Sequence, residues 1–551
     1  MTTPAPAPIA IPIPIPIPIY AIFEGGGAKG IAHVGAIEAI EDQGLVPIGV
    51  AGSSAGAIAA ALVAVGLPAR SIFDPDKMGA DIFTRNGEVP EGLIGLADWR
   101  WFHRMRKLVW LYALVAAVAL LPLLLALGLF WTFLWLLGRD PPPLRLWMGF
   151  GLFDTAGARD FIDKVLRDAV AQRTGQPAPS PLCFGDLLPT EEAALFATLR
   201  VIAANIETGE AVVFGPETPD VPVADAVVAS FSIPFVFRPA RVRGAGRESA
   251  RYVDGGLLAN LPVWVFNDEK LLLERGEPDA PPIPVIAFSL RDKPGPSPLG
   301  GLRRFAGAVL RTGIFGSQVQ ARRQTPGLVN VDVPADIGLL DFDCSFDKAC
   351  EVYLGGRAAA QEMLHRRLRA LPAAFRAALG DVIAAAQARA AVLRPGQYPT
   401  GTPLHLRASL VLPFGDNSFR VRIALGMEAD ADDRLIIDPR APGAPLAFAL
   451  KRALHVDLSA VPPDARFMTK YELALVRPTL QSIIAVPVFG NPAAWTRPAG
   501  QRPKPSAALC LDSDSGLEFL YADANLMAVL ETATKGLAPL VADLNRQDTN
   551  S

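Results

Sequence analysis

The chain has 551 residues, more than one hydrophobic core ordinarily supports, so two or three units are expected. Its formal net charge of −3 and isoelectric point near 6.1 give no basis for binding nucleic acid. Hydrophobic residues make up 51% and the mean hydropathy is +0.29, high for a soluble protein, which points to a membrane-seeking part. The four cysteines (Cys183, Cys344, Cys350, Cys510) form no CxxC pair, which fits a reduced interior and signals neither metal nor disulfide.

The apolar stretch Ile9 to Ile19 is interrupted by prolines and lacks a basic segment before it. Each proline removes an N–H and disfavours helix at the preceding residue, so residues 1–19 read as an extended tail and not as a secretion signal. That reading places the protein inside the cell. Tyr20 to Phe23 is then a short apolar strand, followed by Glu24-Gly-Gly-Gly-Ala-Lys-Gly30 and a helical pattern of Ile31, Val34, Ile37 and Ile40. A second apolar run, Leu45 to Val50, enters Ala51-Gly-Ser-Ser-Ala-Gly56 and another helix to about Val65. Strand, glycine turn and helix, repeated, predict an α/β fold with a parallel sheet. Leu108 to Leu137 is an uncharged apolar run. Beyond it the pattern predicts a helix over 160–170, strands over 199–204 and 285–290, and helices over 301–323, 348–369 and 373–393. The texture then changes to strand-like runs at 404–412, 419–425 and 481–488, with a closing helix over 526–544.

Gly52-Ser-Ser-Ala-Gly56 matches G-x-S-x-G with Ser54 at the elbow. A sharp strand-to-helix turn lifts the hydroxyl to a helix N-terminus, where the dipole favours developing negative charge. Acyl transfer also needs oxyanion donors, and Gly25-Gly26-Gly27 offers unhindered N–H groups at a strand end. A competing reading is dinucleotide binding, since Gly25, Gly27 and Gly30 satisfy G-x-G-x-x-G. It expects an acidic residue where the second strand ends in Val50-Ala51-Gly52 and a serine. A P-loop lacks its closing Lys-Ser or Lys-Thr. Of the five histidines, His33 lies on the helix after the glycine turn, where packing accounts for it, and His405 and His455 fall far along the chain. The better candidate for a base is Asp254 in Tyr252-Val-Asp-Gly-Gly256, although Asp-Gly-Gly alone also reads as a plain turn.

Gly25 to Gly30, the Ser54 elbow, Ala229-Ser-Phe-Ser-Ile-Pro234 continuing to Pro239, and Asp254-Gly255-Gly256 followed by Asn260 and Pro262 resemble the patatin-like phospholipases. The resemblance covers about residues 20–370 apart from the apolar insert. It implies a three-layer α/β hydrolase core with a parallel-dominated sheet, and metal-independent and cofactor-free cleavage of fatty-acyl esters. It further implies a Ser–Asp dyad, with Ser54 as nucleophile and Asp254 as proton acceptor. Gly25, Gly26 and Gly27 would hold the oxyanion donors, with Gly30, Gly52, Gly56, Gly255 and Gly256 as motif positions.

As one helix, Leu108 to Leu137 would be about 45 Å long, more than one bilayer core. It lies between Ser54 and Asp254, so a single span would put the two on opposite sides of a membrane. Two full spans need about 40 residues and a turn. A re-entrant or interfacial hairpin bent near Pro122 or Gly128 remains, within an insert of about 100–147. A buried lid or oligomer interface is the alternative. Arg100, Arg104, Arg106, Lys107, Arg139 and Arg145 flank the run, with Trp101, Trp110, Trp131, Trp135 and Trp147 near its ends, as expected at an anionic cytoplasmic leaflet. The basic stretch Arg238 to Arg251 reads either as a phosphate-holding element or as a solvated loop.

Residues 371–402 read as a helical linker and 547–551 as a tail. The pattern over 403–546, with Ile484-Ala-Val-Pro-Val488 and Leu511-Asp-Ser-Asp514, is similar to GAF domains. That resemblance implies an α+β regulatory module that takes a small-molecule effector or forms a homodimer. The leading functional reading is a phospholipase A-type acyl hydrolase docked on the cytoplasmic face of the membrane and acting on its phospholipids. The alternative is a membrane-associated small-molecule sensor that keeps the hydrolase fold as scaffold. The topology is directly testable. Single cysteines at Arg100 and Arg145 in a cysteine-free background should both be protected from an impermeant thiol reagent in intact cells and both react in inverted vesicles. Labelling from opposite sides would establish a single span.

Overall fold

In the computed structural model the described residues are 16–76, 128–130, 132, 150–188, 195–244, 250–276, 283–291, 328–338, 344–398, 403–414, 418–427 and 435–550. Apart from 128–130 and 132, the expected apolar insert with its flanks lies outside them, as does the helix expected over 301–323. Among the described residues no helix is long and apolar enough to cross a membrane. The chain divides into two units, Met1–Lys270 with Ile283–Leu364, and Leu271–Pro282 with His365–Ser551.

The first unit is built around β1 (Ile17–Phe23), which pairs in parallel with β2 (Leu45–Ser53) and β8 (Val285–Arg291). The sheet continues through β9 (Leu328–Pro334) on one side and through β4 (Thr198–Asn205) and β5 (Glu210–Phe214) on the other, in the order β5-β4-β2-β1-β8-β9. Among the described residues only β5 and the short β7 (Tyr252–Asp254) run antiparallel in this sheet, both against β4. A two-stranded parallel ribbon joins β3 (Gly151–Phe153) to β6 (Phe235–Phe237). The sheet is buried on both faces. Tyr20 stacks on Phe266 from the segment after Asp254, while Phe23, three residues on, meets His33 edge-on. Helices over these faces make the three layers.

The tail expected over 1–19 ends sooner. Ile17, Pro18 and Ile19 are strand, paired with Leu45, Val46 and Pro47. Pro18 is tolerated because β8 joins β1 only from Tyr20 onward, so this stretch of the strand has one partner and a missing N–H costs little.

Helix α1 (Ile31–Asp42) leaves the first glycine turn, and α2 (Ala55–Ala64) leaves the serine elbow. Then come α3 (Ala156–Thr174), α4 (Val223–Phe231) and α5 (Phe346–His365). Helices α1 and α5 touch backbone to backbone: a Cβ on Gly35 would lie 2.1 Å from the Tyr353 carbonyl oxygen, and one on Gly356 2.4 Å from that of Ala32. Beside this contact the buried Glu38 carboxylate accepts the Tyr353 hydroxyl and pairs with Arg70 at 2.5 Å and Arg357 at 3.1 Å.

The second unit is an α+β sandwich. Its antiparallel sheet has the order β12-β11-β10-β15-β14-β13, built from β10 (Arg407–Phe414), β11 (Ser418–Leu425), β12 (Ile436–Ile437), β13 (Leu454–Asp457), β14 (Ser482–Val488) and β15 (Ala507–Ser513). Along β10, Ala408, Leu410 and Leu412 face one core with α6 (Leu371–Leu393) and α8 (Ala524–Asn550), while Val411 faces the other with Ala447 and Phe448 of α7 (Ala444–Leu450). Residues 371–393, expected as linker, are therefore a wall of this core, because Phe375, Leu379, Val382, Ala386 and Ala390 form a buried stripe at helical spacing. The closing helix also takes in 547–550, expected as tail.

Gly35→Ala should destabilise the protein by roughly 1–3 kcal/mol, since two helix backbones must separate. Gly355→Ala, whose Cβ would meet only Pro334 Cγ at 3.6 Å, should be neutral or slightly stabilising. Chemical denaturation of the two variants tests this; equal losses would show that backbone approach is not what the first glycine provides.

Candidate active site

Register along β4 assembles the site. β2 pairs with β4 as far as Ser53 opposite Ile202, and on that same edge the next residue, Ala203, pairs with Asp254 of β7. The last residue of one strand and the last residue of another thus occupy successive positions on a common neighbour. Ser54 turns out of β2 there, and its Oγ donates to Asp254 Oδ2 at 2.7 Å across 200 residues of chain.

The elbow is strained and tightly packed. Ser54 has φ 54° and ψ −125°, a region L-residues seldom occupy. A Cβ on Gly52 would lie 2.1 Å from the Gly56 carbonyl oxygen, and one on Gly56 2.1 Å from that of Phe23. Only glycine lets α2 start this close to the ends of β1 and β2. The Ser54 N–H donates to Ser230 Oγ at 2.9 Å, and that hydroxyl donates to the Ile202 carbonyl at 2.5 Å. The end of α4 also holds the aspartate strand: the N–H groups of Asp254 and Gly255 donate to the carbonyls of Ser232 and Ser230 at 2.9 and 3.0 Å. Ala229-Ser-Phe-Ser-Ile-Pro234 is therefore the bracket between elbow and carboxylate. Gly255 must be glycine because its Cβ would sit 2.1 Å from the Ile202 carbonyl oxygen.

Asp254 is buried, and its second oxygen, Oδ1, accepts the Gly256 N–H at 2.7 Å. Desolvation pushes its pKa up to about 6, against the opposing pull of the Ser54 and Gly256 hydrogen bonds. The carboxylate is thus ionised at neutral pH yet basic enough to take a proton.

The glycine turn lies beside the serine, as a Cβ on Gly25 would be 3.0 Å from Ser54 Cβ and one on Gly30 3.1 Å from Ala55 Cβ. Its three expected donors are not equivalent. The Gly25 N–H donates to the Asn260 carbonyl at 3.0 Å, which removes Gly25 from the donor set. No described hydrogen bond engages the N–H groups of Gly26 and Gly27, and Gly27 has φ 55°. Glu24 is what the sequence reading missed. Fully buried, it accepts from Asn260 Nδ2 at 3.2 Å and from the Leu290 N–H at 2.8 Å, and so ties the ends of β1 and β8 to the segment after Asp254. An acid ending an apolar strand was the available signal, because a buried carboxylate demands partners.

His33 is buried, with Nε2 on the Glu24 carbonyl at 2.8 Å. Desolvation lowers its pKa to about 4, outweighing that hydrogen bond, so it is neutral and holds the glycine turn. No described contact joins it to Ser54 or Asp254. His405 and His455 belong to the second unit, and His103 lies outside the described residues. Among the described residues no cluster of His, Cys, Asp and Glu has the arrangement of a metal site.

Residues 21–267 match the family model described as Patatin-like phospholipase. The uncharacterized protein YqhO of Bacillus subtilis (strain 168) is 31% identical over 260 residues, 46% of this chain and 68% of that protein. The chain belongs to the patatin-like phospholipase family. The fold class is that of this family, with its α/β sheet of mostly parallel strands, and membership makes the chain a lipid-ester hydrolase in the broad sense. Among solved structures, VipD from Legionella pneumophila is 18% identical with a TM-score of 0.33, covering 63% of this chain and 67% of its own. ExoU of Pseudomonas aeruginosa, solved with SpcU, is 19% identical with a TM-score of 0.31, covering 64% of this chain; this chain spans 53% of it.

In the patatin-like core the raised Asp254 pKa has a thermodynamic consequence. The native state holds a proton between pH about 4 and 6 that the unfolded state, with an ordinary value of 3.8, has lost. Stability contributed by this group is therefore full below pH 4 and declines as pH rises to 6. Asp254→Asn, which keeps the shape and removes the buried charge, should be more stable than wild type by on the order of 1–3 kcal/mol at pH 8, with no gap below pH 4. Urea unfolding at the two pH values checks this; a gap independent of pH would contradict it.

Proposed function

We propose that this protein hydrolyses fatty-acyl esters of membrane phospholipids with Ser54 as nucleophile and Asp254 as sole base. The observation that carries the reading is the 2.7 Å hydrogen bond from Ser54 to a buried carboxylate whose pKa is raised to about 6. As Ser54 Oγ bonds to the acyl carbon, its proton passes to Asp254 Oδ2. The N–H groups of Gly26 and Gly27 donate to the oxyanion. Collapse breaks the ester bond, and the departing alkoxide of the lysolipid takes the proton from Asp254. Water enters, gives its proton to the same carboxylate and attacks the acyl-enzyme, and collapse returns that proton to Ser54 and frees the fatty acid.

The enzyme works at the cytoplasmic face of the membrane, held there by the apolar insert and its basic flanks, which raises its effective concentration on substrate. The second unit regulates it through a small-molecule effector. The support for that part is the GAF-like sequence pattern and the six-stranded antiparallel sheet it forms.

Ser54→Ala and Asp254→Asn should each lower kcat/KM for a soluble ester by about a thousandfold or more, since the two act as a unit. For wild type the rate should rise with pH through about 6 and then level, because the base must be ionised. A fluorophosphonate should label Ser54 and EDTA should leave the rate unchanged. Retained activity in either variant, or labelling of another serine, would remove the dyad assignment.

A further inference from the structure

The sheet of the second unit has a polar strip on a face that is otherwise packed with apolar side chains. Strand pairing sets Arg407 opposite Asp512 and Ser409 opposite Cys510. Arg407 Nε lies 2.6 Å from Asp512 Oδ1, with the side chains 1% and 6% exposed. A buried ion pair adds little net stability, and apolar residues of similar volume often do better in its place. Burial pushes the Cys510 thiol up, so it stays protonated and acts as a neutral group. Ser409, Cys510 and Asp512 line a cavity of about 90 Å³ together with Leu458, Arg466 and Met468.

Arg466 is the decisive wall residue. Its Nη2 and Nε donate to the carbonyls of Leu458 at 2.7 Å and Val461 at 3.3 Å, which fixes the guanidinium. Among the described residues no carboxylate is paired with it. An oriented cation without a counter-ion, on the wall of a mainly apolar cavity, suits a ligand with one anionic end and an apolar body. At roughly 10–15 Å³ of such space per small group, the cavity takes about six to nine non-hydrogen atoms.

We infer that this cavity binds a small carboxylic acid with a short apolar chain, the carboxylate on Arg466 and the chain across the sheet towards Val411 and Val421. Binding as such does not depend on the proposed hydrolysis. It gives the chemistry of the effector proposed for the second unit, and only that regulatory consequence rests on the proposed function.

Calorimetric titration of the full-length protein with hexanoate, and separately with hexanol, tests the site. Hexanoate should bind saturably, and Arg466→Met should weaken it about tenfold or more while leaving hexanol unaffected. Val421→Trp, which fills the cavity from its lining, should abolish hexanoate binding even if Arg466→Met does not fold; circular dichroism checks both variants. Absence of saturable hexanoate binding overturns the inference. So does binding that both variants leave unchanged, since it would then lie at another site, the serine pocket included. An enzyme inactive on esters that still shows Arg466-dependent binding would refute the proposed function and leave this site standing.

Discussion

A single strand edge sets the geometry of the candidate site. Along β4, Ile202 ends its pairing with β2, and Ala203 begins its pairing with β7. One residue of register separates the two partners, so one strand spacing separates the serine elbow from the aspartate. A slip of β7 by one residue would turn Asp254 to the other face of the sheet and remove the contact. The hydrogen bonds from the end of α4 to Ser54, Asp254 and Gly255 lock that register in place.

Around this edge the fold carries several costs together. Ser54 sits in an unfavourable backbone region, Asp254 is a carboxylate without full solvation, and Glu24 is a second buried acid nearby. Each is held by rigid surroundings: the backbone contacts at Gly52 and Gly56, the Gly256 N–H, and the Asn260 and Leu290 donors. Burial does two things at once for Asp254. It makes the ion more basic, and it keeps the carboxyl fixed against the hydroxyl it faces. His33, the histidine beside the glycine turn, is committed to the carbonyl of Glu24.

Much of the first unit was legible in the sequence because its elements are long and marked by glycine. Strands at 20–23, 45–50, 199–204 and 285–290 and the serine elbow follow from apolar runs that end in small residues. Less legible were features set by tertiary contact. Nothing local shows that Ile17-Pro18-Ile19 continues a strand, since the reason is a neighbour that covers only one side of it. The three residues of β7 are too few to show a period. Nor can a row of three glycines reveal which N–H is already engaged: Gly25 differs from Gly26 and Gly27 only through Asn260, more than 200 positions away. In the second unit, 371–393 reads as a linker until its buried stripe is seen against the sheet.

The 200 residues between Ser54 and Asp254 also bear on how the chain is made. Synthesis runs from the N-terminus, and segments fold as they emerge. With the roles proposed above, a nascent chain has its nucleophile early, but the base, the α4 bracket and Asn260 arrive only after most of the first unit has been translated. Until then the serine has neither a proton acceptor nor a fixed elbow. On those roles a partial chain lacks a complete dyad, and long-range topology acts as a zymogen does, with no segment to remove.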